Sequence, residues 1–79
     1  MNAIYDDVRQ NIAEIRDQRG YTQSQLARAL KLPQPTYAGY EMGLRKFPLH
    51  IIKRIAVFFG VTIDSLCEEY SAPGKPDVK

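Results

Sequence analysis

Apolar residues along this chain recur at helical intervals. Ile4, Val8, Ile12 and Ile15 are spaced by 4, 4 and 3 residues, which lines them up along one stripe of an α-helix. Asp6 and Asp7 fall in the first turn, where the helix dipole favours negative charge, and Gly20 follows the last. The spacing predicts an amphipathic helix from about Ile4 to Arg19. Thr22 with Gln25 three residues on reads as a capping box, ahead of inward-facing Leu26, Ala27 and Leu30. A short second helix, about Gln23 to Leu30, follows from that. Ala27 suits a close crossing of two helices, where a larger side chain would cost about 1 to 3 kcal/mol.

Lys31, Leu32 and Pro33 separate this helix from a third, which runs to about Met42 and stops at Gly43, suited to a left-handed cap. Two short helices across a three-residue turn predict a helix-turn-helix. Pro35 disfavours helical geometry at Gln34, so the third helix is expected to start at Pro35 with Gln34 as its cap or just before it. A fourth helix begins near Pro48, turns Ile51, Ile52, Ile55, Phe58 and Phe59 inward and ends at Gly60. Thr62 caps a fifth, whose apolar residues Ile63, Leu66, Cys67 and Tyr70 stand at i, i+3, i+4 and i+7. No segment reads convincingly as a strand. The expected fold is all-α, five helices in one domain over residues 1–70, followed by a polar, proline-rich and disordered tail, "SAPGKPDVK", over 71–79.

Length and composition narrow the function. A chain of 79 residues hides only about 60% of the surface of its unfolded form, too little for a deep catalytic cleft. No apolar run approaches the roughly 20 residues of a membrane-spanning helix, and the start lacks the pattern of a signal peptide, so a cytoplasmic protein is expected. The single cysteine, Cys67, agrees with a reducing compartment. His50 and Cys67 suit packed or surface roles, and no metal spacing, phosphate loop or nucleophile motif accompanies them. No enzyme activity, cofactor, metal site or small-molecule substrate is expected. Charge is unevenly spread: residues 9–54 hold nine Lys or Arg against three acids, an excess of +6, and the remainder sums to −4. A basic middle between acidic ends suits a polyanion-binding face, although solvated helix surfaces also give such counts.

Thr22-Gln23, Leu26-Ala27, Leu32, the run Q-x-T-Y-x-x-Y-E-x-G-x-R from Gln34 to Arg45, Pro48, Ile55-Ala56 and "FFGVTIDSL" together resemble the phage-repressor, or Cro-type, helix-turn-helix family, also called the xenobiotic-response-element family. The likeness spans about Ile12 to Leu66. It implies a compact five-helix domain that binds double-stranded DNA, usually as a homodimer that regulates transcription, with the third helix as recognition helix. It also implies a partly buried ion pair between Arg16 and Glu41. Lys31 holds a turn position where the family commonly has Gly or Asn in a left-handed conformation, so a slightly altered turn is expected. Met42 replaces a frequent Asn.

The candidate DNA contacts divide by chemistry. The N-terminal end of a recognition helix faces base edges, and Gln can bond adenine at two points, which makes Gln34 the base reader. The next positions implied by the resemblance are Pro35, Thr36, Ala38 and Gly39, of which only Thr36 is polar. Gly39 costs about 1 kcal/mol of helix propensity against Ala, understandable if backbone must approach DNA or if the site is simply exposed. Gln23 at the start of the second helix, Tyr37, and Arg45 and Lys46 in the loop after the third are placed to hold phosphates. Tyr40 suits the core with its hydroxyl at the edge, and Lys53 and Arg54 suit solvent. The apolar set Ile63, Leu66, Cys67 and Tyr70 is the candidate dimer face. The alternative is an antitoxin-like module whose main partner is another protein, contacted through the same face.

Overall fold

The computed structural model describes residues 3–71, with side chains from Tyr5 onward. Five helices follow in order: α1 (Ala3–Gln18), α2 (Gln23–Ala29), α3 (Gln34–Glu41), α4 (Leu49–Phe59) and α5 (Ile63–Leu66). Among the described residues there is no strand. The expected tail lies outside the described residues except for Ser71.

The core is the meeting of the stripes foreseen from periodicity. Val8 and Ile12 of α1, Leu26 and Ala27 of α2, and Ile51, Ile52, Ile55 and Phe59 of α4 are all buried, with Leu30, Phe47 and Leu66 closing the gaps. Phe58 departs from the expectation: it is 41% exposed, with one edge on Tyr21 at 5.5 Å and on Phe59 at 5.1 Å. Adjacent residues on a helix are about 100° apart, so the stripe that admits Ile52, Ile55 and Phe59 leaves Phe58 at its border.

The turns follow from local chemistry. Thr22 accepts from Gln25 N at 3.0 Å while Gln25 Oε1 accepts from Thr22 N at 2.9 Å, the reciprocal box that starts α2. After α2, Lys31 N donates to Arg28 O and Leu32 N to Ala27 O, at 3.0 and 2.9 Å, a closure that needs a left-handed residue at position 31. Lys31 supplies it, with φ 59°, alone among the described non-glycine residues. The left-handed conformation is thus present at this turn, and its strain falls on Lys31 itself.

Two cations hold helix ends together. Arg54 donates through Nη2 to Leu30 O at the end of α2, so it is no mere solubilising residue. Arg19 donates to Phe59 O at 3.1 Å and lies 5.5 Å over the Phe59 ring, which closes α4 against the end of α1. Part of the basic excess therefore serves architecture.

The fifth helix is shorter than the apolar spacing suggests. Thr62 caps it as expected, accepting from Ser65 N at 3.0 Å. Beyond Leu66 the chain turns back along α1: Asn11 Nδ2 donates to Leu66 O and Glu68 O at 3.0 and 2.6 Å, and Asp7 accepts from Tyr70 N at 3.2 Å. Backbone groups that would have continued the helix are thus engaged by α1. The candidate dimer face is consumed in the same way. Leu66 is buried, Ile63 packs on the core, Tyr70 is half-buried with its hydroxyl donating to Glu14 Oε1 at 3.3 Å, and only Cys67 is exposed.

Candidate nucleic-acid interface

Three residues present the start of α3. Pro33, at φ −58° and ψ 139°, precedes the helix, and its carbonyl accepts from Thr36 N and Tyr37 N at 3.0 and 3.1 Å. Those bonds close the first turn around Gln34, which is therefore the first helical residue, one position earlier than expected. The bias that Pro35 exerts on its neighbour is a preference, and two backbone hydrogen bonds outweigh it. Gln34 and Pro35 are exposed, Thr36 and Ala38 half-exposed. No side chain caps this end; with prolines at 33 and 35, and with Thr36 N and Tyr37 N bonded to Pro33 O, the one first-turn N–H not so engaged is that of Gln34, beside its exposed side chain.

The other half of α3 is locked into the fold through Glu41. Arg16 grips it at two points, Nε to Oε2 at 2.8 Å and Nη2 to Oε1 at 3.0 Å. Gln23 Nε2 donates to Oε1 at 2.7 Å and the Tyr37 hydroxyl to Oε2 at 2.5 Å. Each carboxylate oxygen thus accepts two bonds, and the side chain is only 6% exposed. Arg16 also donates through Nη1 to Tyr21 O at 2.5 Å. One carboxylate thereby joins α1, α2 and α3. Burial pushes the Glu41 carboxyl up, but the bonds from Arg16, Tyr37 and Gln23 together prevail and hold it below its ordinary value. Its bond to Glu41 raises Arg16, against the opposing effect of burial. Burial first, and then the bond to a carboxylate, raise Tyr37 well above the usual phenol range.

Two expected phosphate contacts are reassigned by this network. Tyr37 is fully buried, its ring edge toward Phe47 at 6.1 Å, and in this arrangement cannot reach a phosphate. Tyr40, half-buried and stacked at 5.2 Å on Phe47, is the more exposed of the two tyrosines. Gln23 is half-buried and directs its amide to Glu41. It positions the helix pair, while its backbone N–H remains at the start of α2.

Arg45 and Lys46 lie in the loop after α3 and are exposed. Leu44 N and Arg45 N both donate to Gly39 O, at 2.9 and 3.2 Å, which folds the loop back along the helix. Lys46 Nζ stands 5.1 Å over the Tyr5 ring of α1. Gly39 is covered by the Arg45 side chain, contrary to the expectation of bare backbone there. His50 and Cys67 are exposed and lie on different elements.

The first turn of α3, flanked by loop cations and held by a carboxylate hub, can present hydrogen-bonding groups to a polyanion. No helix among the described residues is long and apolar enough to cross a membrane. No curated protein and no solved structure gives a match. A family model described as helix-turn-helix matches residues 12–66, the span that includes the α2 capping box, the left-handed turn, all of α3 and the Glu41 hub. This chain belongs to the Cro/C1-type helix-turn-helix family, a phage-repressor-like class of DNA-binding transcription regulators.

Proposed function

We propose that the protein binds a specific double-stranded DNA sequence as a homodimer and represses transcription by occupying its operator. The observation that carries this reading is the asymmetry of α3: its first turn is exposed with Gln34 foremost, while Glu41 fixes its other end to α1 and α2. In the major groove, Gln34 bonds adenine at N6 and N7, and Thr36 supplies a second polar contact. The Gln34 backbone N–H and Lys46 hold the DNA backbone on either side, and Arg45 adds charge beside the helix. So short a reading surface covers only a few base pairs. Two copies on half-sites about 34 Å apart supply the rest of the selectivity, together with DNA shape. Repression then needs nothing beyond occupancy of a promoter.

Selection of bound sequences from a random DNA pool tests the reading. An inverted repeat with an adenine set by Gln34 is expected, with sedimentation showing two protein chains per duplex. A pool that stays random after repeated selection removes sequence-specific binding. A single isolated half-site removes the dimer.

A further inference from the structure

Arg45 was grouped above with the loop cations that neutralise phosphate, but its position is unusual for that task. The loop backbone is pinned to α3 through Gly39 O, and the Arg45 side chain then runs across Gly39 itself. A Cβ at position 39 would lie 3.8, 3.9 and 4.0 Å from Arg45 Cδ, Cγ and Nε. Positions three and four residues apart share a helix face, so the strip beneath Arg45 continues into Thr36 and Pro35, the exposed first turn. These are ordinary contact distances, so a methyl at 39 would pack against the Arg45 chain, and only a side chain that branches further would obstruct it. Arg45 takes no part in the ion pairs found among the described residues, Arg9 with Asp6 and Arg16 with Glu41.

We propose that Arg45, threaded over Gly39, is a base-reading residue that recognises a guanine next to the base pair read by Gln34. A guanidinium carries a planar fork of donors that matches guanine O6 and N7 in the major groove. Lying along the helix face at Gly39, the Arg45 chain gives this fork a route beside the recognition helix, one that a bulky residue at 39 would close. The proposal rests on the DNA-binding reading and adds a second specified base to each half-site.

Arg45→Lys separates base reading from phosphate holding, because lysine keeps the charge and loses the fork. Wild type, Arg45→Lys and Gly39→Leu are each taken through random-pool selection. Each is then titrated, at several salt concentrations, against the selected site and against that site with its guanine replaced. Wild type is expected to select a guanine beside the Gln34 position. Arg45→Lys should keep the slope of log affinity against log salt and lose about tenfold of the preference for that guanine. Gly39→Leu, which blocks the path, should lose the same preference while its thermal unfolding shows an intact fold. The proposal is overturned if Arg45→Lys retains the guanine preference, or if both variants weaken matched and mismatched sites equally. A wild-type protein that selects no sequence overturns the DNA-binding reading itself, and this proposal with it.

Discussion

The two halves of α3 are built on opposite principles. Gln34, Pro35 and Thr36 lie outward and are tied down mainly by backbone bonds to Pro33. Tyr37 and Glu41, less than two turns on, are buried and joined to each other, to Arg16 and to Gln23. The anchoring half is polar, yet among the described residues no buried side-chain nitrogen or oxygen lacks a partner. Apolar contact is non-directional, whereas hydrogen bonds weaken steeply when misaligned. A helix held by a four-bonded carboxylate is therefore fixed in rotation as well as in position, and its rotation decides which side chains the first turn aims at DNA. Aim and reading are assigned to different residues of one eight-residue helix.

That division is broken most directly at Glu41. Glu41→Ala leaves Arg16, Gln23 and the Tyr37 hydroxyl without their acceptor, and a loss of about 3 to 5 kcal/mol is expected, a large share of the stability of a small domain. Urea unfolding measures it. Arg16→Ala should be costly for the same reason, and the double variant should lose much less than the sum. Simple additivity would show that the two residues do not act together. Acidification sharpens the point. Since the folded carboxyl ionises below the unfolded value of 4.5, its contribution is complete above that pH and disappears as pH falls through the lower folded value. The stability gap between wild type and Glu41→Gln should accordingly narrow below about pH 4.5, and a gap that holds constant down to the acid transition would contradict the depressed ionisation.

Tyr37→Phe removes one donor to the carboxylate and leaves three. A hydrogen bond to a charged group contributes about 1.5 to 3 kcal/mol, so that is the expected destabilisation. Because the hydroxyl is buried, affinity for DNA should barely change. An equal loss of affinity on matched and unrelated duplexes would mean that Tyr37 meets a phosphate after all, and the anchoring half of α3 would then also touch DNA.

Much of this architecture was legible in the residues, and the misreadings share a cause. The stripes of α1 and α4, the α2 capping box and the stop at Gly43 are local features, decided within a few residues. The pairing of Arg16 with Glu41 came from likeness to a family, because no spacing of 25 residues signals contact. Tyr40 packs at the edge of the core as expected, whereas Tyr37, expected at a phosphate, is buried. Three residues apart, they differ by only about 60° around the helix, and what separates them is the carboxylate acceptor that Tyr37 finds one turn on. The length of α5 depends on Asn11 and Asp7, more than 50 residues away in the chain. The roles of Arg19 and Arg54 were not legible, since nothing in their neighbours indicates which distant carbonyl a long flexible side chain will reach.

The turn that separates the helices offers a smaller effect, of opposite sign. Lys31 is held at φ 59°, a conformation that costs an L-residue about 1 to 2 kcal/mol. Glycine reaches it freely but loses more entropy on folding. Lys31→Gly should therefore stabilise the domain by about 1 kcal/mol or somewhat less, visible as a higher unfolding temperature. No gain would show that the Lys31 side chain makes compensating contacts, and that this turn is tuned by more than backbone geometry.

The smallest effect on the fold is expected where the effect on recognition is largest. Gln34 is exposed and no side chain caps its helix end, so Gln34→Ala should shift stability by no more than about 0.5 kcal/mol. On DNA the same change should remove about 1 to 3 kcal/mol of discrimination at one base pair per half-site. Affinity for unrelated sequences should barely move, because phosphate contacts and the salt slope they set are left in place. Parallel unfolding and binding titrations on matched and mismatched duplexes decide the matter. If Gln34→Ala weakens every duplex alike, the first turn of α3 holds backbone, and the division between an aiming half and a reading half fails. If it destabilises the fold as Tyr37→Phe does, the exposed turn is itself part of the anchor.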